Sequence, residues 1–516
     1  MSASGRRPGH LAALLALHLF AGGLLVAGYR FQINPDGIAY LASARKYLSG
    51  HFTDAVTGFW SPMYSWLLAP LLALRVPPLL ATKLLDLAAG ALIIMGAWQL
   101  MERLALDLRV RLAAGLTLIA VVLYFGLTVA TPDLLSAAFV LLYLGVVADP
   151  AWGDDRRAAV AGLLGAAAYL SKAYALGFVV VHLAALTAFR LWRGSDSRQR
   201  VVRAALVALG ALAIVVLPWA LVLSAKYGRF LLSDAGRLSW TYDGPSRPGY
   251  PMQRDGFIAP PDALAVSAWD DPGRLSLPDW SPLRSPEERA HFEGLVKQNA
   301  ASVAAVVQGF SLLALPIAVA ALLLATSRLD PPPSRPVWTL VSAALLYPAG
   351  YLVFHLRDRF LVAVCVLLVV LGAFAAVTLG RLLDIGRAGR AVALAVVCLS
   401  FLTAPIAGLR AAWGDGAQWP EMARELQAVP AGARVASNGR WRQTLYLAFH
   451  GGWRYFGEPR PGSPADAVEG DLRRHGVEYF LLWGDPGAFP FVARWPLVAR
   501  SGALKAYRVD GVSSRP

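Results

Sequence analysis

The feature that most constrains this chain is the recurrence of apolar blocks of about twenty residues, the length that a helix needs to cross a bilayer. Of its 516 residues, 57% are hydrophobic and only 16% are charged, and the mean hydropathy is +0.51. A soluble protein of this size carries more charge, because its surface must be solvated. We therefore predict a polytopic α-helical protein of the cell (inner or plasma) membrane, with the lipid bilayer as a partner.

The apolar blocks predict about eleven transmembrane helices, at residues 10–29, 79–100, 112–129, 134–148, 158–170, 175–192, 204–223, 300–326, 337–354, 361–379 and 391–409. The first follows Arg6 and Arg7 and is predicted to be an uncleaved signal anchor. Arg residues recur in alternate loops, including residues 328–335, which places the N-terminus in the cytoplasm by the positive-inside rule. An odd number of spans then puts the C-terminus on the extracytoplasmic side.

Two segments between spans are predicted to be external loops, residues 30–78 and residues 224–299. The first contains two short predicted helices, at residues 38–48 and 61–74. We expect both to lie in the membrane interface or to re-enter the membrane, because proline interrupts the second one. Together with the spans, these loops form a predicted membrane domain over residues 1–410.

From about Arg410 the composition changes, and short elements of both kinds alternate. This pattern predicts a small extracytoplasmic α/β domain over residues 411–516. Its strands are predicted at residues 434–437, 478–483 and 504–509, its helices at residues 421–426 and 471–475, and an element of either kind at residues 443–449. It has no glycine-rich phosphate loop.

The net charge of +15 does not indicate nucleic-acid binding, because the Arg residues are scattered at the ends of apolar blocks. No dense Lys/Arg patch with interleaved aromatic residues is found, so nucleic acid is excluded as a partner. The two cysteines, Cys365 and Cys398, lie inside predicted spans and form neither a disulfide framework nor a metal pair.

Ionisable residues that the topology brings to the external face are the candidates for chemistry. Asp36, Asp133 and Lys172 each adjoin the external end of a span. A fourth group follows the ninth span and comprises His355, Arg357, Asp358 and Arg359. Carboxylates beside cations suit a reaction that needs a base and releases an anion, and a lipid phosphate is the anion that a membrane surface presents. Structural roles are also open: Arg357 and Arg359 could snorkel to headgroups, and Asp36 could cap the helix that follows it.

Several short motifs follow the spans in a fixed order. The first external loop has Asp36, then a helix rich in aromatic residues and alanine, then Trp60-Ser61-Pro62-Met63-Tyr64. Pro132-Asp133 opens the fourth span, Tyr169-x-Ser171-Lys172 closes the fifth, and Arg359-Phe360-Leu361 opens a late span. This layout, over roughly the first 400 residues, resembles the GT-C class of integral-membrane glycosyltransferases. Within that class it resembles the bacterial relatives of protein O-mannosyltransferases, the aminoarabinose transferases and the lipopolysaccharide-core galacturonosyltransferases.

The resemblance implies transfer of a sugar from a polyprenyl-phosphate donor to an unknown extracytoplasmic acceptor, which is a lipid, a glycan or a protein. Asp36 matches the acidic residue expected to orient or deprotonate the acceptor hydroxyl, and Asp133 matches a second acidic position, where span 4 begins. Lys172 and Arg359 match basic positions suited to the lipid phosphate. The other residues that we expect to bind substrate are Tyr40, Trp60, Tyr64, His355 and Arg357. Displacement by one nucleophile opposite the phosphate would invert the anomeric centre.

The residue after Asp36 departs from the pattern of that class. Many relatives carry Asp-Glu at this point, whereas this chain has Asp36-Gly37. A metal site built on two adjacent carboxylates is therefore not expected. We predict neither a metal nor any other cofactor.

Two alternatives to a glycosyltransferase are a transporter and a non-catalytic binding protein. A transporter or flippase of lipid-linked glycan would place ionisable residues near mid-membrane, often in paired repeats. The predicted spans are instead almost free of charge at their centres, and no internal repeat is found. A non-catalytic protein that binds lipid-linked glycan also stays open, because the second carboxylate after Asp36 is missing. In the second external loop, residues 240–243 and 269–271 could stack on sugars or simply pack.

Overall fold

A computed structural model describes residues 9–194, 197–246, 249–327 and 335–511. Arg6, Arg7 and residues 328–334 of the predicted cytoplasmic loop lie outside these ranges. The helices up to residue 411 are α1 (Gly9–Tyr29), α2 (Pro35–Leu48), α3 (Phe52–Ala55), α4 (Pro62–Ala73), α5 (Pro78–Arg103), α6 (Leu108–Thr128), α7 (Asp133–Val147), α8 (Asp155–Ser171), α9 (Tyr174–Arg193), α10 (Arg198–Tyr227), α11 (Ala235–Tyr242), α12 (Pro251–Arg254), α13 (Pro286–Phe310), α14 (Ala314–Thr326), α15 (Arg335–Ala349), α16 (Val362–Leu382), α17 (Gly386–Ser400) and α18 (Thr403–Ala411).

The chain is a multi-pass membrane protein, as predicted. Within the described ranges, seven helical segments are long and apolar enough to cross a bilayer. They are α1, α5, α6, α9, α10, the segment Asp358–Leu382 that contains α16, and α17 with α18. The apolar helices α4, α7 and α15 are shorter. The predicted interfacial or re-entrant segments coincide with α2 and α4.

One predicted span is wrong in detail. Residues 300–326 were expected to form one span, but α13 and α14 meet at 100°. The break lies at Ser311, whose hydroxyl accepts a hydrogen bond from the Leu313 amide at 3.0 Å and pairs with the Ser400 hydroxyl at 2.7 Å. The helix also begins at Pro286, inside the predicted external loop, because Ser285 caps it through the Glu288 amide.

Helix α16 forms the centre of the bundle. Its apolar residues are buried along almost the whole helix, from Val362 to Val377, which explains why its sequence shows no polar face. Small residues allow close packing elsewhere: a Cβ atom at Gly162 of α8 would lie 2.1 Å from the Ala208 carbonyl oxygen of α10. The bundle is therefore a rigid support for the segments at its ends.

The C-terminal part of the chain forms a small α/β unit. Its elements are α19 (Gln418–Glu425), β1 (Arg434–Ser437), α20 (Trp441–Gly451), β2 (Arg454–Tyr455), α21 (Ala465–Arg474), β3 (Tyr479–Trp483), β4 (Leu497–Ser501) and β5 (Leu504–Arg508). The sheet order is β2-β1-β3-β5-β4; β1 runs parallel to β2 and β3, and β5 runs antiparallel to β3 and β4. The three predicted strands are confirmed, residues 443–449 are helical, and β2 and β4 were not predicted.

Three hydrogen bonds hold the chain from the end of α18 to this unit against the rest of the molecule. Tyr29, at the end of α1, donates a hydrogen bond to the Leu409 carbonyl at 2.6 Å. Gln32 donates to the Ala412 carbonyl at 2.9 Å. The Tyr455 amide of β2 donates to the Val266 carbonyl at 2.7 Å, which joins the edge of the sheet to the long loop between α12 and α13. The chain that leads into this unit therefore contacts the segment that follows α1, and the edge of the sheet contacts the loop between α12 and α13.

Candidate active site

Asp36 lies in the first turn of α2 and points away from the helix. Pro35 occupies the first turn, where its missing amide costs nothing, and Asn34 stands at the N-cap position. The Asn34 side chain accepts from the Ala130 amide at 3.0 Å. The Asp36 carboxylate instead accepts from the Trp269 indole at 3.1 Å and from Arg359. The interpretation of Asp36 as a helix cap is therefore wrong.

Asp133 and Lys172 meet beside Asp36. Asp133 is the first residue of α7, and Lys172 directly follows α8. The Lys172 ammonium pairs with one Asp133 oxygen, while the other oxygen accepts from the Thr131 hydroxyl at 2.7 Å and lies 3.5 Å from Arg359 Nε. Arg359 therefore bridges the two carboxylates. These four ionisable residues, which the sequence placed on one face, form one network.

The network is partly buried. The Asp133 side chain is 4% exposed and that of Lys172 is 21% exposed. Burial lowers the pKa of the Lys172 ammonium, and the adjacent Asp133 carboxylate opposes that shift. The ammonium also lies 3.4 Å from the centre of the Phe360 ring, a cation–π contact that stabilises its charge. Two carboxylates and two cations thus balance within a partly water-excluded site.

Aromatic rings from distant segments form one wall beside the carboxylates. Trp60 donates its indole hydrogen to the Trp269 carbonyl at 2.9 Å, and their rings meet edge to face at 5.3 Å. Tyr40 contacts Trp60 edge to face at 5.1 Å. Trp269 belongs to the long loop between α12 and α13. The sequence left open whether its aromatic residues stack on a sugar or pack within the protein. Here it packs and also orients Asp36.

Tyr64 lies behind this wall. It is fully buried, does not line the cavity, and donates to both oxygens of Asp86 at 3.1 Å. Asp86 and Lys83, on the first turns of α5, are themselves buried, and the Lys83 ammonium lies 3.4 Å from the Val129 carbonyl oxygen. The sequence analysis did not single out this buried pair. Its position behind Tyr40 indicates support of the wall rather than contact with substrate.

A cavity of about 830 Å³ opens in front of the network. The sequence-predicted residues that line it are Asp36, Tyr40, Trp60, Asp133, Lys172, His355, Arg357 and Arg359. Burial and the nearby guanidinium groups of Arg357 and Arg359 lower the pKa of His355 to about 4, so its imidazole is neutral at pH 7. The cavity has the size of a ligand pocket.

The C-terminal unit closes one side of the cavity. Trp441, Arg442 and Tyr446 of α20 all line it, and none was predicted as a site residue. Nothing in the local sequence marks them as site residues, because they belong to an amphipathic helix of the kind that packs against a sheet. Only the attachment of the C-terminal unit beside α2 brings them to the site.

The charged network is poorly suited to a divalent metal. Among the described residues, no group of three His, Cys, Asp or Glu side chains could hold a metal ion. The oxygens of Asp36 and Asp133 already accept from Arg359, Trp269, Lys172 or Thr131. A metal would have to displace these cations, and position 37 offers no second carboxylate.

Comparison with solved structures identifies the fold. No protein-family model and no curated protein sequence matches the chain. Among solved structures, that of ArnT from Cupriavidus metallidurans bound to undecaprenyl phosphate matches with a TM-score of 0.60 at 13% identity, covering 99% of this chain and 100% of that one.

Two further structures are similar. The oligosaccharyltransferase AglB from Archaeoglobus fulgidus, in complex with an inhibitory peptide and a dolichol-phosphate, matches with a TM-score of 0.56 at 13% identity, over 92% of this chain and 69% of that one. The arabinofuranosyltransferase AftD from Mycobacteria matches with a TM-score of 0.50 at 16% identity, over 99% of this chain and 42% of that one. The chain therefore has the GT-C fold that its sequence motifs resemble.

Proposed function

We propose that this protein is a glycosyltransferase that moves a sugar from a polyprenyl-phosphate donor to an extracytoplasmic acceptor. The observation that carries the proposal is the Asp36 carboxylate, held by Arg359 and Trp269 at the wall of a largely apolar cavity beside partly buried cations. The fold adds support, because solved structures of two similar proteins contain undecaprenyl phosphate or a dolichol-phosphate.

In the proposed reaction, an acceptor hydroxyl oxygen attacks the anomeric carbon as the bond from that carbon to the phosphate oxygen breaks. The hydroxyl proton passes to a free lone pair of the Asp36 carboxylate, and polyprenyl phosphate leaves with one more negative charge. Arg359 and Trp269 donate to the carboxylate and fix its orientation before the substrate binds. A single displacement inverts the anomeric centre.

The charge that develops on the departing phosphate needs a cation near the membrane ends of the helices. Lys172 follows α8 and Arg359 precedes α16, so both lie at helix ends, and the proposal brings the lipid phosphate to them. Both also line the cavity. Charge-assisted hydrogen bonds from these groups would strengthen in the transition state, because little water competes there. Asp133 pairs with both cations and orients them.

A transporter or flippase is supported less well. Such proteins place their ionisable groups near mid-membrane, whereas this network lies at the ends of α7, α8 and α16. A protein that only binds lipid-linked glycan would need the same cavity. Turnover therefore separates these alternatives from an enzyme.

The test is transfer in vitro from a panel of radiolabelled polyprenyl-phosphate sugars, with Asp36→Asn beside the wild type. We expect the variant to lose at least about a hundredfold in transfer rate, as general-base loss does, while donor binding survives. Asp279→Asn is a matched control, because that carboxylate is 78% exposed and pairs only on the surface. The product of the wild type should show the inverted anomeric configuration by NMR.

Equal transfer by the wild type and Asp36→Asn would refute the role of Asp36. Retention of the donor configuration would refute a single displacement. Binding of the donor without turnover by any preparation would favour the binding protein.

A further inference from the structure

Part of the long loop between α12 and α13 lies along α2 as a strap, which we define as residues 262–270. At one end of the strap, the Asp262 carboxylate pairs at 2.6 Å with the Lys46 ammonium, in the last turn of α2. At the other end, the Trp269 indole donates to Asp36, in the first turn of α2. Ten helical residues separate the two contacts on α2, a distance of about 15 Å. The strap is therefore attached at both ends of the helix that carries the proposed base.

The ion pair at the far end of α2 is buried. The side chains of Lys46 and Asp262 are 1% and 13% exposed. Taking both charges out of water is costly, and an apolar pair of similar size would give similar stability. A buried ion pair has another consequence, because it fixes which residue of one segment faces which residue of the other. Neither residue lines the cavity, so the pair acts on a substrate only through other residues.

A tightly bonded turn presents Trp269 at the near end of the strap. The Ser267 hydroxyl accepts from the Trp269 amide at 3.2 Å, and the buried Asp270 carboxylate accepts from the Val266 amide at 3.0 Å. The Trp269 carbonyl accepts from the Trp60 indole at 2.9 Å. The turn therefore moves as one unit, and a displacement of the strap would pull the indole away from the carboxylate of the base.

The C-terminal unit also contacts the strap. The Tyr455 amide of β2 donates to the Val266 carbonyl at 2.7 Å, and the Arg454 guanidinium donates to the Asp262 carbonyl at 3.4 Å. The strap thus connects α2 with β2. Its register against α2 needs a separate contact, because these bonds fix it only against the sheet.

We propose that the ion pair between Lys46 and Asp262 is a positioning device for the transfer reaction, which fixes the strap on α2 so that the Trp269 indole donates to the Asp36 carboxylate. The inference rests on the proposed function for the role of Asp36, whereas the attachment of the strap is defined without it. Lys46 and Asp262 are positioning residues and take no part in proton transfer.

The test is a double-variant cycle on kcat, measured with the polyprenyl-phosphate sugar that the wild type turns over. We expect Trp269→Phe to lower kcat at least about tenfold, the effect of losing one hydrogen bond to a charged group. Lys46→Met should lower kcat by a similar factor and leave KM for the donor unchanged. The variant with both substitutions should be no slower than Trp269→Phe alone, because Lys46 acts through Trp269. Losses that multiply would overturn the proposal, since independent effects add in free energy.

A second variant separates positioning from folding. Lys46→Met with Asp262→Leu removes both charges and should unfold at about the same denaturant concentration as the wild type. Its kcat should remain at least about tenfold below that of the wild type, because apolar packing does not fix the register. Wild-type kcat in this variant would overturn the role of the ion pair, whether or not Lys46→Met folds alone.

Hydrogen exchange tests the attachment of the strap without any transfer. In nanodiscs, we expect the amides of residues 262–270 to exchange at least about tenfold faster in Lys46→Met than in the wild type, as measured by mass spectrometry. Arg284→Gln is the matched control, because it breaks an exposed pair with Asp279 in the same loop. It should exchange and transfer like the wild type. Unchanged exchange in Lys46→Met would overturn the anchoring of the strap.

These measurements separate the inference from the proposed function. Transfer by the wild type, with equal kcat in Lys46→Met, refutes the positioning role and leaves the glycosyltransferase standing. Faster exchange of the strap in Lys46→Met, in a protein that transfers no sugar, supports the anchor and refutes the enzyme.

Discussion

At the scale of single residues, Asp133 holds the charged network together. Its side chain is only 4% exposed and pairs with both Lys172 and Arg359, so it compensates two partly buried cations at once. Removing one partner of a buried ion pair leaves charge without compensation and is strongly destabilising. A surface pair has no comparable effect, because water solvates each charge.

We therefore expect Asp133→Asn to lower the free energy of unfolding by about 3 kcal/mol. Asp279→Asn breaks the exposed pair with Arg284 and should cost less than about 1 kcal/mol. The measurement is denaturant unfolding in matched detergent micelles. Adding Lys172→Met to Asp133→Asn should recover part of the loss, since the unpaired charge is then gone. A double variant less stable than Asp133→Asn would contradict the argument.

The same scale shows what the sequence could predict. Asp36, Asp133, Lys172 and Arg359 were found together because each adjoins the end of a span, and topology alone brings such positions to one face. The sequence showed that Gly37 stands where many relatives have glutamate, but it did not show why. A Cβ atom at Gly37 would lie 2.9 Å from the Ala130 carbonyl oxygen, so α2 and residues 129–131 approach too closely for glutamate. Trp269 and Arg442 depend on tertiary packing that no local pattern records.

At the scale of elements, the connection from α18 to the C-terminal unit is closely fitted to the chain that precedes Asp36. The Gly414 amide donates to the Gly28 carbonyl at 2.9 Å. Gly416 has φ of +88°, and a Cβ atom there would lie 2.1 Å from the Phe31 carbonyl oxygen. Gly414 also has a positive φ, +79°, but nothing lies within 4 Å of its Cβ direction.

These two glycines form a matched pair for substitution. Gly414→Ala should lower the free energy of unfolding by about 1–2 kcal/mol through backbone strain alone. Gly416→Ala should lower the free energy of unfolding by about 1–3 kcal/mol more than Gly414→Ala does, because its methyl group overlaps the Phe31 carbonyl. Gly416→Ala should also slow transfer, since Phe31 leads into Asp36. Equal unfolding midpoints for the two variants would show that this contact does not hold the segment.

Strands with a clear apolar pattern were predicted correctly. The short strand β2 and the bend between α13 and α14 were missed for physical reasons. The three predicted strands each have alternating or continuous apolar residues and coincide with β1, β3 and β5. The two-residue β2 is too short to show a period, and it pairs through the backbone of β1. The bend between α13 and α14 comes from serine hydroxyls that satisfy backbone groups, which hydropathy does not detect.

At the scale of the whole molecule, charge is distributed unevenly between the two ends of the bundle. The loops far from the cavity contain Arg-rich turns that contact one another. Arg103 and Arg157 both pair with Asp149, Arg203 pairs with Asp155, and Arg190 donates to the Val147 carbonyl at 3.0 Å. These turns follow α5, α7 and α9, so they share one end. The positive-inside rule predicts that this end is cytoplasmic and that the cavity is extracytoplasmic.

Cysteine labelling in intact cells tests this orientation. After Cys365→Ala and Cys398→Ala, single cysteines are introduced at Leu283, which is 86% exposed in the long loop beside the cavity, or at Leu383, which is 71% exposed after α16. A membrane-impermeant maleimide should label only the cysteine at position 283 in intact cells and both after permeabilisation. Both sites start as exposed leucines, so accessibility of the thiol is matched. The reverse pattern would place the cavity in the cytoplasm and exclude an extracytoplasmic acceptor.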